Sequence, residues 1–186
     1  LFDGSVEKPY AAGLFLLPQS AKVKGWNVKA TAAAKKVIAA LEDGKDAPAD
    51  KLKIVNEIGG QLNDWVYGET KALIAGGKIP ALIGGDHSVP FGAIKAAVEK
   101  WPNLGVLHFD AHHDLREAYE GFTWSHASIF YNALSKLPLK KLVQVGIRDF
   151  SEAEHAFARK MGNAARCFTT PISAAPVLWA KRSTKP

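Results

Sequence analysis

The sequence predicts an α/β fold of three layers, with a parallel sheet between helices, on three observations. Short apolar runs alternate with amphipathic stretches. Each run is bounded by Gly, Pro or Asp, as strands commonly are. Polar residues cluster just after the runs, at the sheet edge where open parallel sheets bind ligands.

Residues 1–29 read as irregular, although Gly13 to Leu17, stopped by Pro18, could be an extended piece. From Ala30 to Asp43 the composition turns helical. Ala34, Val37, Ile38 and Leu41 fall on one face, and Gly44 is a stop. Asp50 is a candidate cap for a second helix through Leu52, Val55, Ile58 and Leu62. The pair Gly59-Gly60 weakens its middle. A further helix is expected from Asp64 to Ala75, ended by Gly76-Gly77.

Three strands are expected next, at Ile79 to Ile83, Leu104 to Phe109 and Leu142 to Val145. Amphipathic stretches separate them, at Val89 to Lys100 and His126 to Lys136. Glu152 and Glu154 read as the opening of a last helix, where acids complement the helix dipole. This alternation is that of a parallel sheet with helices on both faces. Residues 162–186 break the pattern with three prolines and a basic end, and no further strand is expected after Phe168.

At 186 residues, 47% hydrophobic and 23% charged, the chain is expected to be one globular domain, 1–186. Cys167 is the single cysteine. A disulfide framework is therefore excluded, and a reducing, cytoplasmic setting is expected. No apolar run is long enough to cross a membrane as a helix. Leu1 to Tyr10 lacks the pattern of a signal peptide. It also lacks an initiator Met, so the chain is expected to begin mid-sequence. The net charge of +6 is spread along the chain, which reads as solvated helix faces rather than a nucleic-acid surface.

Two motifs carry chemistry. Gly84-Gly85-Asp86-His87-Ser88 follows the first expected strand and presents His87 at the sheet edge. Asp110-Ala111-His112-His113-Asp114 follows the second. In an extended segment Asp110, His112 and Asp114 would share one side. Carboxylates and imidazole converging there repel and resist desolvation unless a cation joins them. Mixed oxygen and nitrogen ligands suit manganese, zinc or iron better than calcium. His113 should point away as a packing or surface residue. His108, on the strand itself, reads equally well as a core residue.

Together the two motifs resemble the ureohydrolases: arginase, agmatinase, formimidoylglutamase and relatives. The resemblance runs from about Gly25 to Glu154 and includes Trp124-Ser125-His126-Ala127-Ser128 and Gly146-Ile147-Arg148. The stretch from Asp114 to Ser128 looks most like agmatinase. The resemblance implies an arginase-like fold, here incomplete at both ends, and a site for two manganese ions. His87 and Asp114 would bind the first ion, Asp110 would bridge, and His112 would bind the second. A bridging water, acidified by the ions, would attack the guanidinium carbon. His126 would relay a proton to the departing amine, releasing urea, with putrescine as co-product from agmatine. A capping or surface role is the alternative for His126, and a structural ion pair is expected for Arg148. The partners implied are a small guanidino substrate and, in the full-length family, further copies of the chain.

The resemblance also implies two aspartates in a downstream Ser-x-Asp-x-Asp motif, and no aspartate follows Asp149. Two divalent ions would then face only Asp110 and Asp114, leaving two positive charges unbalanced. At most one ion is therefore expected to bind well, with weak or no hydrolysis by this chain alone. The change of composition near Met161 is what a shifted reading frame or a truncation would produce. The alternatives are an inactive metal-binding or assembly protein of the same family, or a hydrolase of another guanidino compound.

Overall fold

Helix α1, Ala21–Glu42, starts nine residues before the expected Ala30, with Ser20 as its N-cap. Its inner stripe is Val23, Trp26, Ala30, Ala33 and Val37, all half-buried or buried. Those positions follow helical spacing, but Lys and Asn between them mask it. A computed structural model describes residues 13–169. The expectations for residues 1–12 and 170–186, most of the atypical tail among them, lie outside the described residues. Gly13 to Leu17 forms no strand, and Leu14, Phe15 and Leu16 are exposed.

The two helices expected between Asp50 and Ala75 are one, α2, Ala49–Ala75. Gly59-Gly60 does not break it, because Trp124 seats against Gly59. Tertiary packing here outweighs the local propensity of glycine. Helix α3, Phe91–Lys100, crosses α2 closely. A Cβ built on Gly92 would stand 2.1 Å from the Asn63 carbonyl oxygen, so the two backbones meet at that glycine.

The first expected strand, Ile79 to Ile83, is absent. The segment makes no regular structure, and Ile79 and Ile83 are almost fully exposed. A strand is defined by pairing, and among the described residues no partner lies beside this one. The sheet instead has the order β1-β2-β3, all parallel, with β1 Gly105–Phe109, β2 Lys141–Ile147 and β3 Ala165–Thr169. Strand β3 falls where the pattern was expected to fail. It pairs with β2 from Ala165 to Thr169, a non-local contact that local composition does not announce. Helix α4, Ile129–Lys136, follows a 3-10 turn at His126–Ser128, and α5, Glu152–Met161, links β2 to β3.

The core gathers Phe91 and Val98 of α3, Ile129, Phe130 and Ala133 of α4, and Leu142 of β2. Val106 and His108 turn toward this core, whereas Leu107 and Phe109, on the opposite face of β1, are exposed. Among the described residues no helix is long and apolar enough to cross a membrane.

Candidate metal centre

The site forms where β1 and β2 end. Asp110 stays tied to the sheet, its N–H donating to the Val145 carbonyl. The chain then turns at once. Asp110 Oδ1 accepts from the His112 backbone N–H at 2.9 Å, the side-chain turn typical of Asp. Asp114 has a φ of 55°, in the left-handed region that Asp tolerates better than most residues. The segment is therefore not extended, and simple alternation does not hold along it.

Two side chains follow the expectation and one departs from it. Asp110 and Asp114 converge with His87, whose Nδ1 lies 2.6 Å from Asp114 Oδ2 and 3.7 Å from Asp110 Oδ2. His87 reaches them from the GGDHS turn. That turn is tight because a Cβ on Gly84 would stand 2.3 Å from Val89 Cγ2. His112 instead swings outward and is largely exposed. Its Nδ1 is 3.0 Å from Asp110 Oδ1, and its Nε2 is 3.8 Å from Asp149 Oδ2. A parallel bridge between His112 and Asp149 holds the two loops together.

His108 is the residue brought in unexpectedly. One ligand-type atom from each of His87, His108, Asp110 and Asp114 lies within 4.8 Å of the others. His108 is 5% exposed, and its Nε2 makes no aligned hydrogen bond, although Asp110 Oδ2 is 3.3 Å away. Strand parity is the signal that points to it: residues 108 and 110 are two apart and share a face. His113, by contrast, is buried away from the cluster with its Nδ1 2.8 Å from Gln144 Oε1.

Electrostatics follow from these contacts. The hydrogen bond to Asp114 raises the His87 pKa against the opposing effect of burial, and Asp110 and Asp86 add to the rise. Burial lowers the pKa of His108, helped by His87. For Asp110 burial acts upward, but the His112 N–H, the His112 ring and His108 together outweigh it and hold the carboxyl at about 2. Two carboxylates and an imidazole at this spacing form a donor set that fits a divalent transition ion. The cluster could hold such an ion through His87, Asp110 and Asp114.

Beside it lies a cleft of about 170 Å³ lined by His112, Asp114, Tyr119, His126, Asp149 and Glu154, among others. His126 is exposed at its rim, edge-on to Tyr119. Ser125 does not cap the turn with its side chain and bonds Ser128 instead. Arg148 forms no ion pair among the described residues. Its guanidinium is exposed and reaches only the Gly146 carbonyl at 3.4 Å, because the loop that carries it is pinned by backbone bonds to Ala111.

A parallel sheet with a His/Asp cluster at a strand end, beside a polar cleft, defines an α/β protein with a candidate metal site. The sequence model of the Arginase family matches residues 17–170. The chain belongs to that family. An agmatinase from Bacillus anthracis is 33% identical over 99 residues, 53% of this chain and 34% of the relative. Among solved structures, arginase from Medicago truncatula superposes with a TM-score of 0.55 at 30% identity, covering 72% of this chain and 43% of that one. Formimidoylglutamase from Bacillus subtilis gives 0.53 at 26%, covering 64% and 39%. The fold is thus the arginase fold, represented in part. The chain spans about a third of the length of the curated relatives it matches.

Proposed function

We propose that this chain carries the guanidino-hydrolase site of an agmatinase-like ureohydrolase, acting on agmatine to give putrescine and urea. The observation that carries the reading is the convergence of His87, Asp110 and Asp114 at the strand ends beside the cleft that His126 lines. Manganese is the ion proposed, by resemblance and because the donor set mixes carboxylate with imidazole. When bound, it would make a water nucleophilic at neutral pH. His87, Asp110 and Asp114 would hold the first ion. Asp110 and His112 would be left for a second, and the outward turn of His112 supports tight binding of one ion only.

The other residues have roles of their own. Asp149, exposed at the cleft, is the carboxylate left to attract a cationic guanidinium, since Glu154 is already paired with Arg116, Ser151 and Leu115. His126, exposed at the rim, is the proposed carrier of a proton to the leaving amine. The assembly proposed is a homo-oligomer, in the cytoplasm, to which the unpaired Cys167 is suited.

A second reading is an inactive metal-binding or assembly protein. The shortage of carboxylates for two ions favours it. One experiment separates the two. Mn²⁺ binding is measured by calorimetry, urea release is followed with agmatine, arginine and guanidinobutyrate, and formamide release with formimidoylglutamate. One ion per chain, with slow urea release from agmatine that His126→Ala abolishes without loss of the ion, supports the hydrolase. One ion with neither urea nor formamide from any substrate supports the inactive reading. Two tightly held ions with brisk turnover would overturn the one-ion reading.

A further inference from the structure

Three buried side chains, His113, Gln144 and His108, form a relay whose polarity chemistry settles. Gln144 Nε2 lies 2.8 Å from the His113 carbonyl oxygen. A carbonyl only accepts, so this end of the amide is the NH2 group. The other end, Oε1, faces His113 Nδ1 at 2.8 Å, and that nitrogen must therefore donate. The second hydrogen of the Gln144 NH2 group faces His108 Nδ1 at 3.0 Å, and that nitrogen must accept. A neutral His108 then carries its proton on Nε2, the atom 3.3 Å from Asp110 Oδ2.

We propose that His108 is a positioning residue of the metal centre, held by Gln144 as an Nε2–H donor beside Asp110, and not a fourth ligand. This rests on the metal-centre reading above. The protonated Nε2 has no lone pair to offer an ion, although distance alone would admit it to the ligand set. Instead Asp110 is flanked on two sides, bonded by His112 and approached to 3.3 Å by His108 Nε2, whose N–H needs only a small turn to align. Oδ1 accepts from His112, and Oδ2 faces His108. Supporting partners of this kind fix the orientation of a ligand and tune its basicity. The placement follows from strand register, since His108 stands opposite Gln144 in the parallel ladder.

The test has two arms. Long-range proton–nitrogen correlation NMR on the metal-free full chain reads the tautomer of His108 directly. The Nε2–H form is expected, and the Nδ1–H form would overturn the proposal. In the second arm, Mn²⁺ affinity is measured by calorimetry for His108→Leu and His108→Gln. Leucine removes the donor and should weaken binding roughly 10- to 100-fold. Glutamine places an amide N–H near the same point and should restore most of that loss. Equal affinity for the two variants would also overturn the proposal. Because the first arm needs no ion, a chain that binds no Mn²⁺ would sink the functional reading while the tautomer still decides this one.

Discussion

His87 Nδ1 and Asp114 Oδ2 stand 2.6 Å apart although 27 positions separate them in the chain. The contact joins the turn before α3 to the loop after β1, and an ion bound there would replace it. A ligand that binds only the folded state raises stability in proportion to the logarithm of its concentration over Kd.

His87→Ala should therefore remove the rise in melting temperature that Mn²⁺ gives the native chain. It should also weaken Mn²⁺ binding by more than the roughly 10- to 100-fold that a supporting partner costs. Thermal melts across a Mn²⁺ series check the first, and calorimetry the second. An unchanged melting shift in the variant would remove His87 from the ligand set.

Glu154 should set an acid limit on stability. It is buried, and its carboxylate accepts from the Ser151 N–H, the Ser151 hydroxyl and the Leu115 N–H. Burial works to raise its pKa, but these donors and Arg116 outweigh it and leave the pKa below 4.5. The folded value is depressed. Its contribution is thus present above the unfolded pKa and fades as pH falls from about 4.5 through the folded value. Glu154→Gln should flatten the stability curve in that window. Glu154→Ala should cost about 2–3 kcal/mol at neutral pH, through the unpaired Leu115 N–H and the lost capping box. Urea titrations across the pH range measure both.

Gly92→Ala should destabilise by about 3 kcal/mol or more. The new methyl would meet Asn63 O at 2.1 Å and Tyr67 N at 2.6 Å, both backbone atoms of α2. Neither can move without shifting the helix, so the cost should exceed ordinary overpacking of about 1–3 kcal/mol. Chemical denaturation with an unchanged midpoint would show that the helices pack less closely than described.

Gln144→Leu keeps much of the volume but leaves His113 Nδ1–H and the His113 carbonyl without partners in a buried setting. Each unsatisfied group costs about 1–3 kcal/mol, so the two together should cost about 2–6 kcal/mol in urea. A loss no larger than about 0.5 kcal/mol, the range of an ordinary surface change, would mean that the relay is not what holds this region.

Much of this was legible in local sequence. The turns that carry His87 and Asp110 are spelled out by glycines and by an Asp that bonds its own backbone, so the strand-end placement of Asp110 could be read directly, whereas the strand expected before His87 does not form. The long-range parts could not. Ile79 to Ile83 has strand composition but no neighbour, while Ala165–Thr169 has ordinary composition and a neighbour in β2. His112 was hidden because Asp114 adopts a left-handed backbone, which breaks the alternation that would have put all three ligands on one side. His108 and Gln144 lie 36 positions apart and meet only through register, which needs the sheet to be known first.

Leu107 and Phe109 lie exposed on the outward face of β1, an edge strand. Such an edge invites like copies to pair along it, and the apolar face invites them to stack. What opposes stacking is the +6 net charge, a repulsion that reaches about 10 Å at 0.1 M salt and only about 3 Å at 1 M. Self-association of this chain is therefore expected to rise with ionic strength, which light scattering across a salt series would check: dilute buffer should keep the molecules apart, and concentrated salt should let the apolar stripe decide.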